Sequence, residues 1–314
     1  MRKIFIKLTI IFALLLVIDR SLGSFIANKI YAKVYSGECG GTLNYLLEKK
    51  KNVDLLIIGS SRAKYQIDPA LLSFKKNLRT YNAGISGRGG IIYNSILTEI
   101  ILKNGVKPGY ILLQTDPGLF IKVKDENLLK ETIGLYPNYG KSERLGYYIQ
   151  KAGFSEQVAL LSKLYPYNGK MLNLIYNYSK RQSVKDNNGF ITLNNTMDTT
   201  REIVRANLIY QDNEFSETKV EALKSIIQVC KKYGTTLVVV YPPTYSNCDY
   251  NASDVYKLNK IIQLEGGCSV VDLSDINKVP KLQSYLNWND ARHLNYKGAR
   301  EFSLALNDSL KAKF

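Results

Sequence analysis

Continuous apolar runs, more than alternating ones, set the pattern of this chain. Residues 53–59 read Val-Asp-Leu-Leu-Ile-Ile-Gly, and an uninterrupted run ended by glycine marks a strand buried on both faces. Further short strands are expected at Thr80–Ser86, Tyr110–Thr115, Thr236–Tyr241 (stopped by Pro242-Pro243) and Ser269–Leu273. Helical periodicity occupies Ile91–Lys103, Thr218–Tyr233, Asp254–Leu264 and Tyr296–Lys311. Strands alternating with helices predict a parallel sheet covered on both faces. Ligands of such sheets bind beyond the carboxyl ends of the strands, so chemistry is expected in the loops that follow them.

One long stretch breaks the alternation. From about Phe120 to Asn213 no buried strand is expected, and tyrosines recur among Asn, Pro and Gly, as in Tyr136-Pro137-Asn138-Tyr139 and Tyr165-Pro166-Tyr167. A structureless loop of that length is rare, so residues 120–213 are predicted to form a mostly helical cap over the carboxyl edge of the sheet. Tyrosine suits sugar rings or acyl chains, but packing of the cap onto the sheet is the expected role of most of them.

The N-terminus has a different character. Met1-Arg2-Lys3 leads through Lys7 into an apolar stretch from Leu8 to Ile18, closed by Asp19-Arg20. A basic start followed by a short apolar run is the pattern of an export signal. With the mild segment to Ala27 it approaches the roughly 20 residues of a membrane span. An uncleaved anchor is the leading reading, ahead of a cleaved signal and of a buried helix. Basic residues precede the segment, which places the body outside the cytoplasm, periplasmic or extracellular. The chain then divides into an anchor or signal at 1–27, a linker and lead-in helix at 28–52, and the main domain at 53–314.

Composition changes this picture in three places. Among 314 residues there is a single histidine, His293, which excludes sites built from two or more histidines. Lys and Arg outnumber Asp and Glu by 43 to 27, giving +16; residues 1–35 hold six basic and one acidic side chain, so +11 remains on the body. No zinc finger or RNP-like motif accompanies that charge, and an exported chain does not meet nucleic acid, so the expectation divides between a plain solvated surface and a field that attracts anionic headgroups or envelope polymers. Cys39, Cys230, Cys248 and Cys268 contain no C-x-x-C pair. Cys230 is expected in the core, and a disulfide is open among the other three.

Two motifs fall at strand ends. Gly59-Ser60-Ser61-Arg62 ends the first buried run, and a serine on a tight strand-to-helix turn exposes its hydroxyl, while small residues before it let a substrate approach the backbone. Asp290-Ala291-Arg292-His293 lies just before the last helix. A carboxylate three residues ahead of a histidine can bond one ring nitrogen and leave the other as a base. The glycines at 84, 87, 89 and 90 do not spell a dinucleotide motif, and no Walker motif is present. No cofactor or metal is expected.

These blocks, with Asn82-Ala83-Gly84-Ile85-Ser86-Gly87 between them and Asp290 to Gly298 matching D-x-x-H-L-N-x-x-G, resemble the SGNH (GDSL-type) hydrolases over most of the body. The Gly-Ser-Ser form is similar to the exported branch that holds the D-alanyl transfer protein of teichoic acid biosynthesis. The resemblance implies a three-layer α/β/α, flavodoxin-like fold with Ser61 as nucleophile, His293 as base and Asp290 as its acid. It implies an oxyanion hole formed by the N–H groups of Ser61 and Gly87. The family's third block, Gly-x-Asn-Asp, is replaced by Gln114-Thr115-Asp116-Pro117-Gly118, and loss of one oxyanion donor can cost about 10²–10³ in rate. Arg62, Arg88 or a cap residue are candidates to fill that gap. Arg62, Arg88 and Asp116 are also the candidate substrate-binding residues, and Asp116 is an alternative acid. The implied activity is a serine esterase or O-acyltransferase acting on an acylated carbohydrate, an envelope glycan or a lipid-linked glycan, with a membrane-bound acyl donor protein as partner by analogy. The rival expectation is an envelope binding or assembly protein that keeps the fold with little or no activity.

Overall fold

In a computed structural model of the chain, the described residues are 1–35, 40–49, 51–87, 89–123, 128–180, 187–199, 214–245 and 252–314. In chain order the elements used below are α1 (Arg2–Phe25), α2 (Gly41–Lys49), β1 (Leu55–Ile58), α3 (Ser61–Gln66), β2 (Thr80–Asn82), α4 (Ile91–Lys103), β3 (Tyr110–Gln114), α5 (Leu128–Thr132), α6 (Glu143–Ala152), α7 (Phe154–Ala159), α8 (Met171–Ser179), α9 (Glu217–Tyr233), β4 (Thr236–Tyr241), α10 (Ala252–Glu265), β5 (Cys268–Asp272) and α11 (Tyr296–Lys313). They divide into two compact units, residues 1–48 with 127–185 and residues 49–126 with 186–314.

The second unit is the expected parallel sheet. Its strand order is β2-β1-β3-β4-β5, with Leu55 opposite both Thr80 and Tyr110. Every residue of β1 is buried, because a strand with neighbours on both sides and helices on both faces has nothing left to show to water. Leu55, Ile57, Leu112, Val238, Val240 and Val271 join one core with Ala63 of α3 and with Ala299, Phe302, Leu306 and Leu310 of α11. Leu56, Ile58, Ile111, Leu113, Leu237 and Val239 alternate to the other face and are equally buried. On that side α4, buried from Ile91 to Leu102, packs against α9. The order 2-1-3-4-5 is that of the flavodoxin-like folds, whose crevice opens where β1 and β3 lead away in opposite directions. The strand expected over Thr80–Ser86 stops at Asn82, because the Asn82 Oδ1 accepts from the Gly84 N–H at 2.9 Å and turns the chain.

The other unit combines the N-terminal segment with the helical insertion. From α1 the helix continues through Lys33 as a π turn and a 3-10 turn, and its N-terminal part is long and apolar enough to cross a membrane or serve as a signal. The lead-in helix expected within 28–52 is α2, and it bonds back to residues 31–34. Asn44 of α2 donates to the carbonyls of Tyr31 and Val34, and Ile26, Tyr31 and Val34 share a core with Tyr167 and Leu174. The insertion is helical as expected, but its tyrosines find partners within this unit. The rings of Tyr31 and Tyr167 stand 5.7 Å apart, and the hydroxyls of Tyr136 and Tyr165 both donate to Glu156. Residues 187–199 belong instead to the sheet unit. There the Asn188 carbonyl accepts from the Asn82 N–H and the Leu193 carbonyl from the Tyr296 N–H.

Cys230 is buried as expected, and both it and Cys268 are free thiols. Burial pushes Cys230 up to about 12 and Cys268 up to about 11. Cys39 and Cys248 lie outside the described residues.

Candidate active site

The serine turn is built by β1 and closed by β3. Ser60 caps α3 by accepting from the Arg62 N–H at 3.2 Å, which leaves Ser61 as the first helical residue with its N–H in the unpaired first turn. Gln114, the last residue of β3, holds the turn from beneath. Its Oε1 accepts from the Ser60 N–H at 3.0 Å, the Ser60 hydroxyl at 2.7 Å and the Ala63 N–H at 3.2 Å. Its Nε2 is buried with no partner among the described residues. Gly59 has φ +148°, and a Cβ there would meet Gln114 atoms at 2.7–2.9 Å. The small residue before the serines thus accommodates β3, which corrects the expectation that it makes room for a substrate.

The second block lies against this turn. The Ala83 N–H donates to Ile57 and the Ile85 N–H to Gly59, which extends the contact with β1 past the end of β2. Asn82 Nδ2 donates to the carbonyls of Ala63 and Ile67, each at 2.7 Å, tying the block to α3. Gly87 follows with φ +76°. At Gly89 a Cβ would stand 2.5 Å from the Gly59 and Ile85 carbonyl oxygens and 2.8 Å from the Ser60 Cα. All three are backbone atoms that cannot swing aside. Gly89→Ala is therefore expected to displace the serine turn; under the esterase expectation a shift of about 1 Å there lowers ester turnover on the order of 10²-fold. Ester turnover measured beside a thermal melt checks this; unchanged turnover in a folded variant would show that the turn tolerates the shift.

The third loop brings the histidine. Asn295 caps α11 by accepting from Lys297 and Gly298, and it donates to the carbonyls of Leu286 and Trp288. Leu294 is fully buried beside Trp288. Between these fixed points Asp290 and His293 close a tight turn, with the His293 N–H donating to Asp290 Oδ1 at 2.9 Å. Gln66 of α3 donates to the Arg292 carbonyl at 2.7 Å and joins the serine helix to the histidine loop.

Ser61 Oγ and His293 Nε2 are 2.7 Å apart, and His293 Nδ1 lies 2.9 and 3.0 Å from the two oxygens of Asp290. A carboxylate only accepts, so Nδ1 carries the proton and Nε2 is left to accept from the serine hydroxyl. Burial works to raise the Asp290 carboxyl, but its bonds to His293, the Arg292 amide and Asn289 outweigh that and hold it at about 2. The ring of Tyr65 stands edge-on to the imidazole at 5.9 Å. The arrangement can polarise a serine hydroxyl and receive its proton.

The remaining candidates fall elsewhere. Arg62 and Asp116 pair with each other at 3.0 Å, their side chains 6% and 9% exposed. Arg62 Nη2 also donates to the carbonyls of Pro242 and Pro243. Asp116 does not touch the imidazole; Asp290 does, which corrects the alternative of Asp116 as the acid. Arg88 lies outside the described residues. Gln66 and Gln114, which hold the site together, were not singled out by motif. The sequence signal of Gln114 is a polar residue ending a buried run, Tyr110-Ile111-Leu112-Leu113-Gln114; Gln66, after Lys64 and Tyr65, carries none.

No curated protein matches the chain. A family model does, over residues 38–302, a span that includes Ser61, Gly87, Gln114, Asp290 and His293. The chain therefore belongs to the family DUF1574, described as a protein of unknown function.

Proposed function

We propose that the protein is a membrane-anchored serine acyl-ester enzyme of the SGNH type, working outside the cytoplasm on an acylated envelope polysaccharide or lipid-linked glycan. The observation that carries this reading is the unbroken hydrogen-bonded path from Ser61 Oγ through the His293 imidazole to Asp290, assembled from two loops 232 residues apart at one sheet edge. Ser61 Oγ attacks the ester carbonyl while His293 Nε2 takes its proton. The oxyanion is met by the N–H groups of Ser61 and Gly87. Collapse expels the alcohol, which leaves with the proton from His293, and an acyl-serine remains. Water or a sugar hydroxyl, deprotonated by the same nitrogen, then releases the acyl group as acid or as new ester. Support for the location comes from the basic start and apolar course of α1.

A fluorophosphonate probe applied to the full-length protein tests the chemistry. Labelling of the folded wild type and its loss in Ser61→Ala are expected. No labelling of the folded protein, or equal labelling of the variant, removes the enzyme reading and leaves a binding module on this fold. An activated acyl ester supplied with candidate glycans then separates transfer from hydrolysis by whether the acyl group appears on the glycan or as free acid.

A further inference from the structure

We propose that the outward faces of α7 and α8 dock into the headgroup–acyl boundary of the same bilayer that holds α1, so that the first unit rests on the membrane surface. The anchor assignment of α1 underlies this inference. Six large apolar side chains carry it. Phe154, Val158 and Leu161 recur at i, i+4 and i+7 and are 78%, 46% and 67% exposed. The helical turn continues to Leu161, whose N–H donates to the Val158 carbonyl. Leu172, Ile175 and Tyr176, at i, i+3 and i+4 of α8, are 85%, 51% and 56% exposed. The opposite face of α8 is already used, since Leu174 packs with Ile26 and Tyr31 of the α1 continuation, and Leu160 just after α7 is buried. A helix apolar on both faces is at home where its outer face meets lipid.

Continuity with α1 identifies the occupant. Asp19 accepts from the Ser162 hydroxyl and from the N–H groups of Lys163 and Leu164. A Cβ at Gly23 would stand 2.5 Å from the Cβ of Lys163. The segment directly after Leu161 is thus clamped to the anchor helix. At 1.5 Å per residue, Asp19 lies about 24 Å along the helix from Lys3, near the far side of a hydrocarbon layer about 30 Å thick. The apolar faces therefore meet the helix at the level where it leaves the bilayer. The chemistry around them belongs to that level too. Lys180 stands 4.4 Å over the ring of Tyr176 and Lys151 4.8 Å over that of Tyr147, aromatic bodies with basic tips of the kind that settle among anionic headgroups.

The test is depth-dependent quenching. Full-length protein is reconstituted in phosphatidylcholine–phosphatidylglycerol vesicles with and without brominated acyl chains. Tryptophan is introduced singly at Phe154, Leu161 or Leu172, at Leu15 of α1, and at exposed Lys141. The signal of the native Trp288 is subtracted using the parent protein. Quenching of the 154, 161 and 172 tryptophans by roughly twofold, approaching that at 15 and well above that at 141, is expected for side chains buried in the interface. Quenching at 15 with values at 154, 161 and 172 no greater than at 141 overturns the docking and leaves the anchor standing. An unquenched 15 removes the anchor and with it docking beside α1 in the same bilayer, whatever the values at 154, 161 and 172. Unquenched tryptophans that are also shielded from iodide mark a protein partner or a second copy on that face, and overturn it equally.

Discussion

His293→Ala is expected to lower ester turnover on the order of 10⁶-fold, as when the base of a serine triad is removed, while leaving the fold in place. The sequence holds no second histidine to substitute for it. The stability half of the expectation follows from the loop. The His293 carbonyl accepts from the N–H groups of Asn289 and Asp290, and its own N–H donates to Asp290, all of which survive in alanine. Asp290 keeps the Arg292 amide and the Asn289 side chain as donors. Asp290→Asn is a finer probe, because an amide in that place can donate to Nδ1 and move the imidazole proton to Nε2, where it cannot accept from Ser61; a loss of about 10³–10⁴ in kcat is expected. Bonding holds Asp290 at about 2, below its unfolded value near 3.9. The stabilisation it brings is present above that value and fades as pH falls towards 2. Above about pH 4 it stays a carboxylate and adds no limb to the pH–rate profile. Turnover by a folded His293→Ala within tenfold of wild type, measured with an activated ester, would sink the triad reading.

How much of this could be read in the sequence depended on whether the interaction was local. The inner strands β1, β3 and β4 were the most legible, because burial on both faces demands apolar runs such as Thr236–Tyr241. The Asp290–His293 pair was legible because a turn of three residues is enough to bring the two side chains together. Gln114 was not, since its value lies in receiving hydrogen bonds from Ser60 and Ala63, more than 50 positions away. Gly59 was misread for the same reason: what its missing Cβ admits is a neighbouring strand, and neighbours across a parallel sheet are distant in sequence. The union of residues 1–48 with 127–185 was invisible because Tyr31 meets Tyr167, and Asn138 meets Tyr31, across more than 100 residues. The tyrosines were noticed, but their partners could not be.

The same distance hid the character of Arg62, whose place beside the nucleophile suggests a substrate contact. Its position predicts a stability effect instead. Arg62→Ala removes the guanidinium that pairs with buried Asp116 and that donates to the Pro242 and Pro243 carbonyls. Breaking a buried pair from one side costs about 3–5 kcal/mol, because the surviving charge stays buried and has lost the opposite charge it faced. Asp116→Ala should cost a similar amount by stranding the guanidinium, although the Leu119 N–H also loses its acceptor. The double variant removes both charges, so its loss should be clearly smaller than the sum of the two, a coupling of order 1–3 kcal/mol. Lysine at 62 keeps the charge but reaches only one of the three oxygens that the guanidinium fork spans, and should fall between wild type and alanine. Denaturant unfolding of the wild type and the four variants measures these differences, and kinetics on the variants that remain folded separates them from a binding role. A substrate-binding arginine would raise KM at unchanged stability. A brace across α3, the β3 loop and the β4 loop lowers stability first, and affects turnover only through the placement of Ser61 one residue away. Arg62→Ala with wild-type stability and a raised KM would return this residue to the substrate side of the site.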